Sequence, residues 1–367
     1  MKRGDNIGPE ATPARSWKPP TLDVWSRALL GLIAAITAFA AVSSASSVFA
    51  PVACALFIIA LVWPMQRCLQ AYVPKLLALA IVMIVTAVVF VIFASLIAWS
   101  FGRVGRWLVT DAAQLQALYG QATSWLEERG IAVATVWSEH FNVSWLVRMA
   151  QEVSGHLHAT IGFWLVVVVY VILGLLEVDD VERKLRRMGN SEAARILLDG
   201  SIASAAKFRR YMLIRTATSA ATGALVWLFA AWAGLQFAAE WGVIAFSLNY
   251  IPFIGPFIAT MFPTFFALVQ FASWQTALAV FACLNVIQFV IGSYIEPRLS
   301  GIALAISPFV VLLAVFFWTY LWGVFGAFIG VPITIAMLTF CAQHPSSRWV
   351  SDLLGAPGQR QELSRSR

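Results

Sequence analysis

The stretch LLALAIVMIVTAVVFVIFASLIAWS, Leu76–Ser100, decides the fold class, because no charged side chain interrupts it. As a helix it would rise about 37 Å, more than the ~30 Å hydrocarbon core of a bilayer. Further apolar runs lie on either side, at about 28–43, 49–63, 161–176, 212–234, 237–271, 275–295 and 303–342. The run from Ile161 carries the β-branched series Val166–Val169, which in water would favour a strand. In lipid a helix satisfies its own backbone, so helix is expected there too.

The composition agrees. Apolar residues make up 60% of the chain and charged residues only 12%, and the mean hydropathy is +0.80. A soluble chain carries about twice that share of charge. The fold expected is all-α: a polytopic integral membrane protein of about eight transmembrane helices, with interrupted or re-entrant helices in the C-terminal half. The expected organisation is a disordered cytoplasmic tail (1–24), N-terminal transmembrane helices (25–101), an amphipathic non-cytoplasmic region (102–160), and a transmembrane helix (161–176). A charged cytoplasmic helical hairpin (177–211), a C-terminal transmembrane transport core (212–342) and a cytoplasmic tail (343–367) follow. Residues 1–20 do not form a signal peptide, and the apolar run after them reads as a retained first span.

Net charge is +7. The basic residues gather in both tails, in 64–75 and in 177–215, and they are sparse in the long 102–160 stretch. That bias places both termini in the cytoplasm of a bacterial inner membrane. No basic stripe carries interleaved aromatics, so nucleic acid is not an expected partner. Cys54, Cys68, Cys283 and Cys341 show no CxxC spacing, and no metal site or cofactor is expected. His156 and His158 point to different helix faces. No catalytic or nucleotide-binding motif is present, so neither an enzyme nor an ATP-driven pump is expected from this chain alone.

The segment FAAEWGVIAFSLNYIPFIGPFIATMFPTFFALVQF, Phe237–Phe271, is too long for one ordinary span and is cut by Pro252, Gly255 and Pro256. Proline removes a backbone donor and collides with the preceding turn. Residues 251–256 therefore read as non-helical, either as the tip of a re-entrant hairpin or as a break within one tilted helix. Such backbone is tolerated at depth only against protein or a water-filled cavity. Asn249 either caps the break or binds solute. A second interruption is read at YIEPRLSG, 294–301, where Glu296 and Arg298 are the only charges between Glu240 and Arg348. Glu296 is either a coupling or gating carboxylate or a salt-bridge partner of Arg298. Glu240, beside Trp241, reads as interfacial. A third interruption follows Leu321, with Gly323, Gly326, Gly330 and Pro332 as packing positions and Trp322 suited to a membrane–water interface.

NYIPFIGPFIA (249–259), YIEPRLSG (294–301) and SPFVVLLAVFFWTYLWGVFGAFIGVPITIAM (307–337) resemble the signature blocks of the autoinducer-2 exporter family of bacterial permeases. The resemblance implies about eight membrane helices, a homo-oligomer in membrane lipid, and transport of a small-molecule solute. Within that family it implies export of an autoinducer-2 type signal or, as the alternative, sodium or lithium/proton antiport. The candidate transport and gating residues are Asn249, Pro252, Gly255, Pro256, Glu296, Pro297, Arg298 and Gly301, with protons or monovalent cations as further partners. A membrane scaffold or assembly factor, docking through 102–160 and the charged hairpin, is the reading from another class.

Overall fold

The computed structural model describes residues 23–110, 157–188, 191–300 and 306–355. The N-terminal tail, most of the amphipathic stretch 102–160, Gly301 and the last residues of the C-terminal tail lie outside the described residues. Among the described residues all regular elements are helical, and seven helices are long and apolar enough to cross a membrane.

Two units are present. In the first, α1 (Val24–Ser44) turns Leu29, Leu32, Ile33 and Ile36 outward, each more than half exposed. Side chains of this kind are compatible with lipid and incompatible with water.

The second unit begins with α2 (Ser46–Leu69), α3 (Lys75–Thr110) and α4 (Leu157–Arg187). Their shared core is Cys54, Ala55, Leu79, Val82, Val167, Val171 and Leu175. At one end, Gln66 Nε2 donates to Leu175 O at 3.3 Å, and Lys75 Nζ donates to Leu176 O at 2.6 Å. Lys75 also pairs with Asp179 at 3.3 Å. The next helix, α5 (Glu192–Trp232), has 41 residues and rises about 60 Å. The charged stretch 177–211 is thus built from the continuous ends of α4 and α5. Two of its basic residues turn inward: Lys207 Nζ donates to Thr339 Oγ1 and Arg209 Nη1 to Ala60 O, both at 3.1 Å.

After α5 come α6 (Ala238–Leu248) and α7 (Ile254–Phe271). They form an antiparallel helical hairpin. At its base the Trp241 and Phe266 rings lie 5.4 Å apart, and Gln270 bonds Gly234 O and the Gln236 N–H. At its tip Gly255 packs on the Leu248 carbonyl so closely that a Cβ would overlap it. The break lies two to three residues earlier than the prolines suggested, at 249–253 instead of 251–256. Pro256 sits in the first turn of α7, where backbone N–H groups have no helical partner in any case.

The next helix, α8 (Trp274–Val290), is not interrupted over 294–300, the described part of the break expected at 294–301. It passes through a π-helical turn (Ile291–Ile295) into α9 (Glu296–Ser300). The Glu296 N–H reaches back to Ile291 O, five residues away, and this wider register accommodates Pro297, which has no N–H.

The last long element, α10 (Pro308–Gln343), is also a hairpin. Trp322 (φ −131°, ψ 16°) and Gly323 (φ 62°, ψ −142°) leave helical geometry. Trp318 Nε1 then donates to Thr334 Oγ1 at 3.3 Å, although the two are 16 residues apart. In a straight helix they would stand about 24 Å apart. The GxxxG pair therefore packs within its own element: Gly326 lies on the Trp318 carbonyl and Gly330 on the Trp318 side chain. Pro332 is buried in the returning arm, and Trp322, expected at an interface, is half-buried against the α2–α4 core. A short α11 (Arg348–Leu354) closes the described chain.

Gly326→Ala drives a methyl into backbone that cannot retreat. It should destabilise the protein by about 1–3 kcal/mol, read as a lowered thermal unfolding midpoint in detergent. Gly105→Ala, where an added Cβ meets nothing within 4 Å, should be neutral or slightly stabilising.

Candidate functional site

The two hairpins approach α5 from opposite ends. Gly242, near the base of the α6–α7 hairpin, packs on Gly223 and Trp227, and its tip meets α5 at Thr216 and Ser219. The returning arm of α10 packs Phe340 on Gly200, and its tip region packs Val315, Ala327 and Val331 with Phe208. The tips touch each other: the Tyr250 and Phe328 rings stack at 6.2 Å, and Ile251 joins the same cluster. The middle of α5, roughly residues 208–219, is where both broken helices end.

That section of α5 carries a polar stripe. Tyr211, Arg215 and Ser219 recur every fourth residue, which places them on one face. Asn249 Nδ2 donates to Ser219 Oγ at 3.1 Å, and the Tyr250 hydroxyl donates to Thr216 Oγ1 at 2.9 Å. Thr218 and Thr222, both buried, return their hydroxyls to the helix backbone. Asn249 is 4% exposed and Pro252 is buried, so one side of the α6–α7 tip is covered by protein, while Phe253 is exposed on the other. Phe253 follows in a γ-turn of positive φ (62°, ψ −54°), with Ile254 N donating to Pro252 O at 2.7 Å. This backbone is rare and strained for any side chain.

Glu296 does not pair with Arg298, which is exposed. Its Oε1 accepts from Arg215 Nη1 at 2.7 Å. The side chains are 6% (Arg215) and 29% (Glu296) exposed, so the cation is buried and the carboxylate retains an opening. Two further buried polar atoms here, Arg215 Nε and the Tyr211 hydroxyl oxygen, have no hydrogen-bond partner. The result is a charge-compensated centre with donors to spare, beside a strained tip. Among the described residues no group of three or more His, Cys, Asp or Glu could hold a metal ion.

Of the residues singled out in the sequence, Asn249, Pro252, Gly255 and Pro256 form the first tip, and Glu296 and Pro297 lie on the π-turn and α9. Arg298 faces away, and Gly301 lies outside the described residues. Gly323, Gly326, Gly330 and Pro332 shape the second hairpin. Sequence reasoning missed Arg215, Ser219, Thr216 and Tyr211. Their signal was available as a fourfold polar repeat running into the apolar run at 212–234.

Opposed broken helices meeting over a buried polar helix face suit solute passage. Residues 29–345 match the family model for AI-2E family transporters. The chain belongs to the AI-2E transporter family. It is 27% identical over 333 residues to the AI-2 transport protein TqsA of Escherichia coli K12, covering 89% of this chain and 94% of that protein. A Haemophilus influenzae relative is 27% identical over 347 residues, covering 90% and 96%. YhhT of Escherichia coli K12 is 33% identical over 195 residues, covering 53% and 55%. The last two are described as candidate transport proteins with no solute named. As an AI-2E family member the protein is a multi-pass membrane transporter.

Glu296→Gln leaves a buried guanidinium without its anion. Breaking a fully buried pair costs about 3–5 kcal/mol, and the partial exposure of Glu296 reduces that to roughly 2 kcal/mol. Arg215→Gln combined with Glu296→Gln should destabilise by less than the sum of the single changes. Unfolding in detergent for the four proteins of this double-mutant cycle measures the coupling.

Proposed function

We propose that the protein exports a small polar solute of the autoinducer-2 type from the cytoplasm across the bacterial inner membrane, with both termini cytoplasmic. The solute passes where the two hairpin tips meet α5. The observation that carries this reading is the Arg215–Glu296 pair, with its unpartnered Arg215 Nε and Tyr211 hydroxyl, set beside Asn249 and Ser219. Such a set offers hydrogen bonds to a solute rich in oxygen acceptors while carrying no net charge. Support for the solute class comes from TqsA, whose similarity covers nearly the whole chain. Support for the orientation comes from the concentration of Lys and Arg in the tails and in 177–215.

The same pair favours solute transport over cation/proton antiport. Glu296 is engaged by a permanent cation, and Arg does not give up its proton in proteins. A carboxylate held in this way is poorly placed to bind a second cation. The tips supply the gate: neither α6 nor the first arm of α10 is long enough to cross alone, so both depend on contacts that can be exchanged.

Proteoliposomes assayed for autoinducer-2 flux test the reading. Arg215→Gln and Glu296→Gln should each slow the initial rate about tenfold or more, since a hydrogen bond to a charged group contributes about 1.5–3 kcal/mol. Flux unchanged in both variants, or a sodium-driven proton movement abolished by Glu296→Gln, would overturn it.

A further inference from the structure

A second ion pair lies away from the candidate site, at the base of the first hairpin. Arg103 Nη1 on α3 stands 2.6 Å from Glu240 Oε1 in the first turn of α6. The Glu240 side chain is 3% exposed, against 47% for Arg103. The contact is ionic and falls outside hydrogen-bond geometry, since Glu240 Oε1 has no hydrogen-bond partner. The guanidinium lies 5.5 Å from the centres of both the Trp99 and Phe237 rings, so it is held by two aromatic faces as well as by the carboxylate. The sequence suggested an interfacial Glu240, and the structure buries it.

The two ends of this hairpin are held by different chemistry. The base has the buried ion pair, the aromatic faces, Gln270 bridging Gly234 and Gln236, and Trp241 Nε1 donating to Gln236 O at 3.0 Å. Backbone of positive φ occurs at both ends, at Phe237 (60°) and Ala272 (47°) around the base and at Phe253 (62°) in the tip, so it does not distinguish them. The tip is held to α5 by two side-chain hydrogen bonds between neutral groups, Asn249–Ser219 and Tyr250–Thr216, and otherwise by apolar contacts of Tyr250 with Phe93 and Phe328 and of Ile251 in the cluster with Phe208, with no ion pair among the described residues. Separating neutral hydrogen-bonded groups is easier than stripping a buried carboxylate of its paired cation.

Building on the transport reading above, we infer that Arg103 and Glu240 are positioning residues for transport. They fix the base of the α6–α7 hairpin to α3, so that the tip alone leaves α5 when solute passes. Neither residue touches the solute. They act by keeping the hairpin a lever with one fixed end.

Two measurements test this, one with solute and one without. In a background with Cys54, Cys68, Cys283 and Cys341 replaced, Arg103→Cys/Glu240→Cys and Thr216→Cys/Tyr250→Cys are each closed with a short bis-methanethiosulfonate bridge. The base bridge should leave at least half of the flux seen before bridging, whereas the tip bridge should reduce flux tenfold or more, reversibly on reduction. Flux arrested by the base bridge, or passing freely through the tip bridge, overturns the inference. Hydrogen exchange in lipid nanodiscs needs no solute. Amides of 249–254 should exchange at least tenfold faster than those of 238–244, and Arg103→Gln should remove that difference by speeding the base. Arg103→Lys should keep part of it. Equal exchange at base and tip in the unaltered protein, or an unchanged pattern in Arg103→Gln, overturns the inference. If the unaltered protein moves no autoinducer-2, the solute proposed above fails, and the exchange pattern still decides whether the base is locked.

Discussion

The rest of this structure depends on one constraint: a backbone broken within an apolar segment must find hydrogen-bond partners in protein, because lipid supplies none. Among the described residues two such breaks stand out, at 249–253 and at Trp322–Gly323. Each is placed where another element can receive it. At the first, the N–H groups of Tyr250, Ile251 and Ile254 bond carbonyls within the turn itself, and the Asn249 and Tyr250 side chains bond the hydroxyl-bearing face of α5. The second lies between that face and the α2–α4 core, with Trp322 in one cluster and Ala327 in the other. A helix as long as α5 follows from this requirement, since it must reach beyond both tips and support a hairpin on each side of its middle.

The glycines and prolines are the local means to that end. Gly255 and Gly326 each meet a carbonyl where no Cβ could fit, so each lets the two arms of a hairpin close tightly just beyond the break. Pro252 and Gly323 end the helices, whereas Pro256 enters a first turn that has no donor to lose. Pro297 is absorbed by a π-turn, and that turn rotates the chain after α8 so that Glu296 meets Arg215. A helix in plain α register would present the carboxylate elsewhere on the surface.

Much of this was legible in the sequence, and the gaps have physical causes. Apolar run lengths gave the membrane class, and the prolines at 252 and 256 located the first tip to within a few residues. The partner of Glu296 was not legible. Arg298 is its nearest charge along the chain, but once the segment is helical, residues two apart point to different sides and cannot pair. Arg215 was grouped with the basic residues of 177–215, because sequence alone does not show where a charged helix becomes a buried one. The fold-back of 308–343 was likewise hidden, since a GxxxG pair announces close packing without naming the surface it packs on. Glu240 looked interfacial beside Trp241 because Arg103 is distant in sequence and approaches only when α3 packs on α6.

The Arg215–Glu296 and Arg103–Glu240 pairs of the second unit divide its labour through their exposure. In the Arg215–Glu296 pair the cation is buried and the carboxylate is partly open, so the anion can exchange partners while the guanidinium stays in place. In the Arg103–Glu240 pair the carboxylate is the buried member, and it would be stranded if the cation left. A buried charge tolerates separation poorly, and an exposed one recovers much of its solvation from water. The pair with the accessible carboxylate therefore suits a centre that changes hydrogen-bond partners as solute arrives and leaves. The pair with the enclosed carboxylate suits a joint. That asymmetry in burial sets the pair between α5 and α9, beside the hairpin tip, apart from the pair that ties the hairpin base to α3.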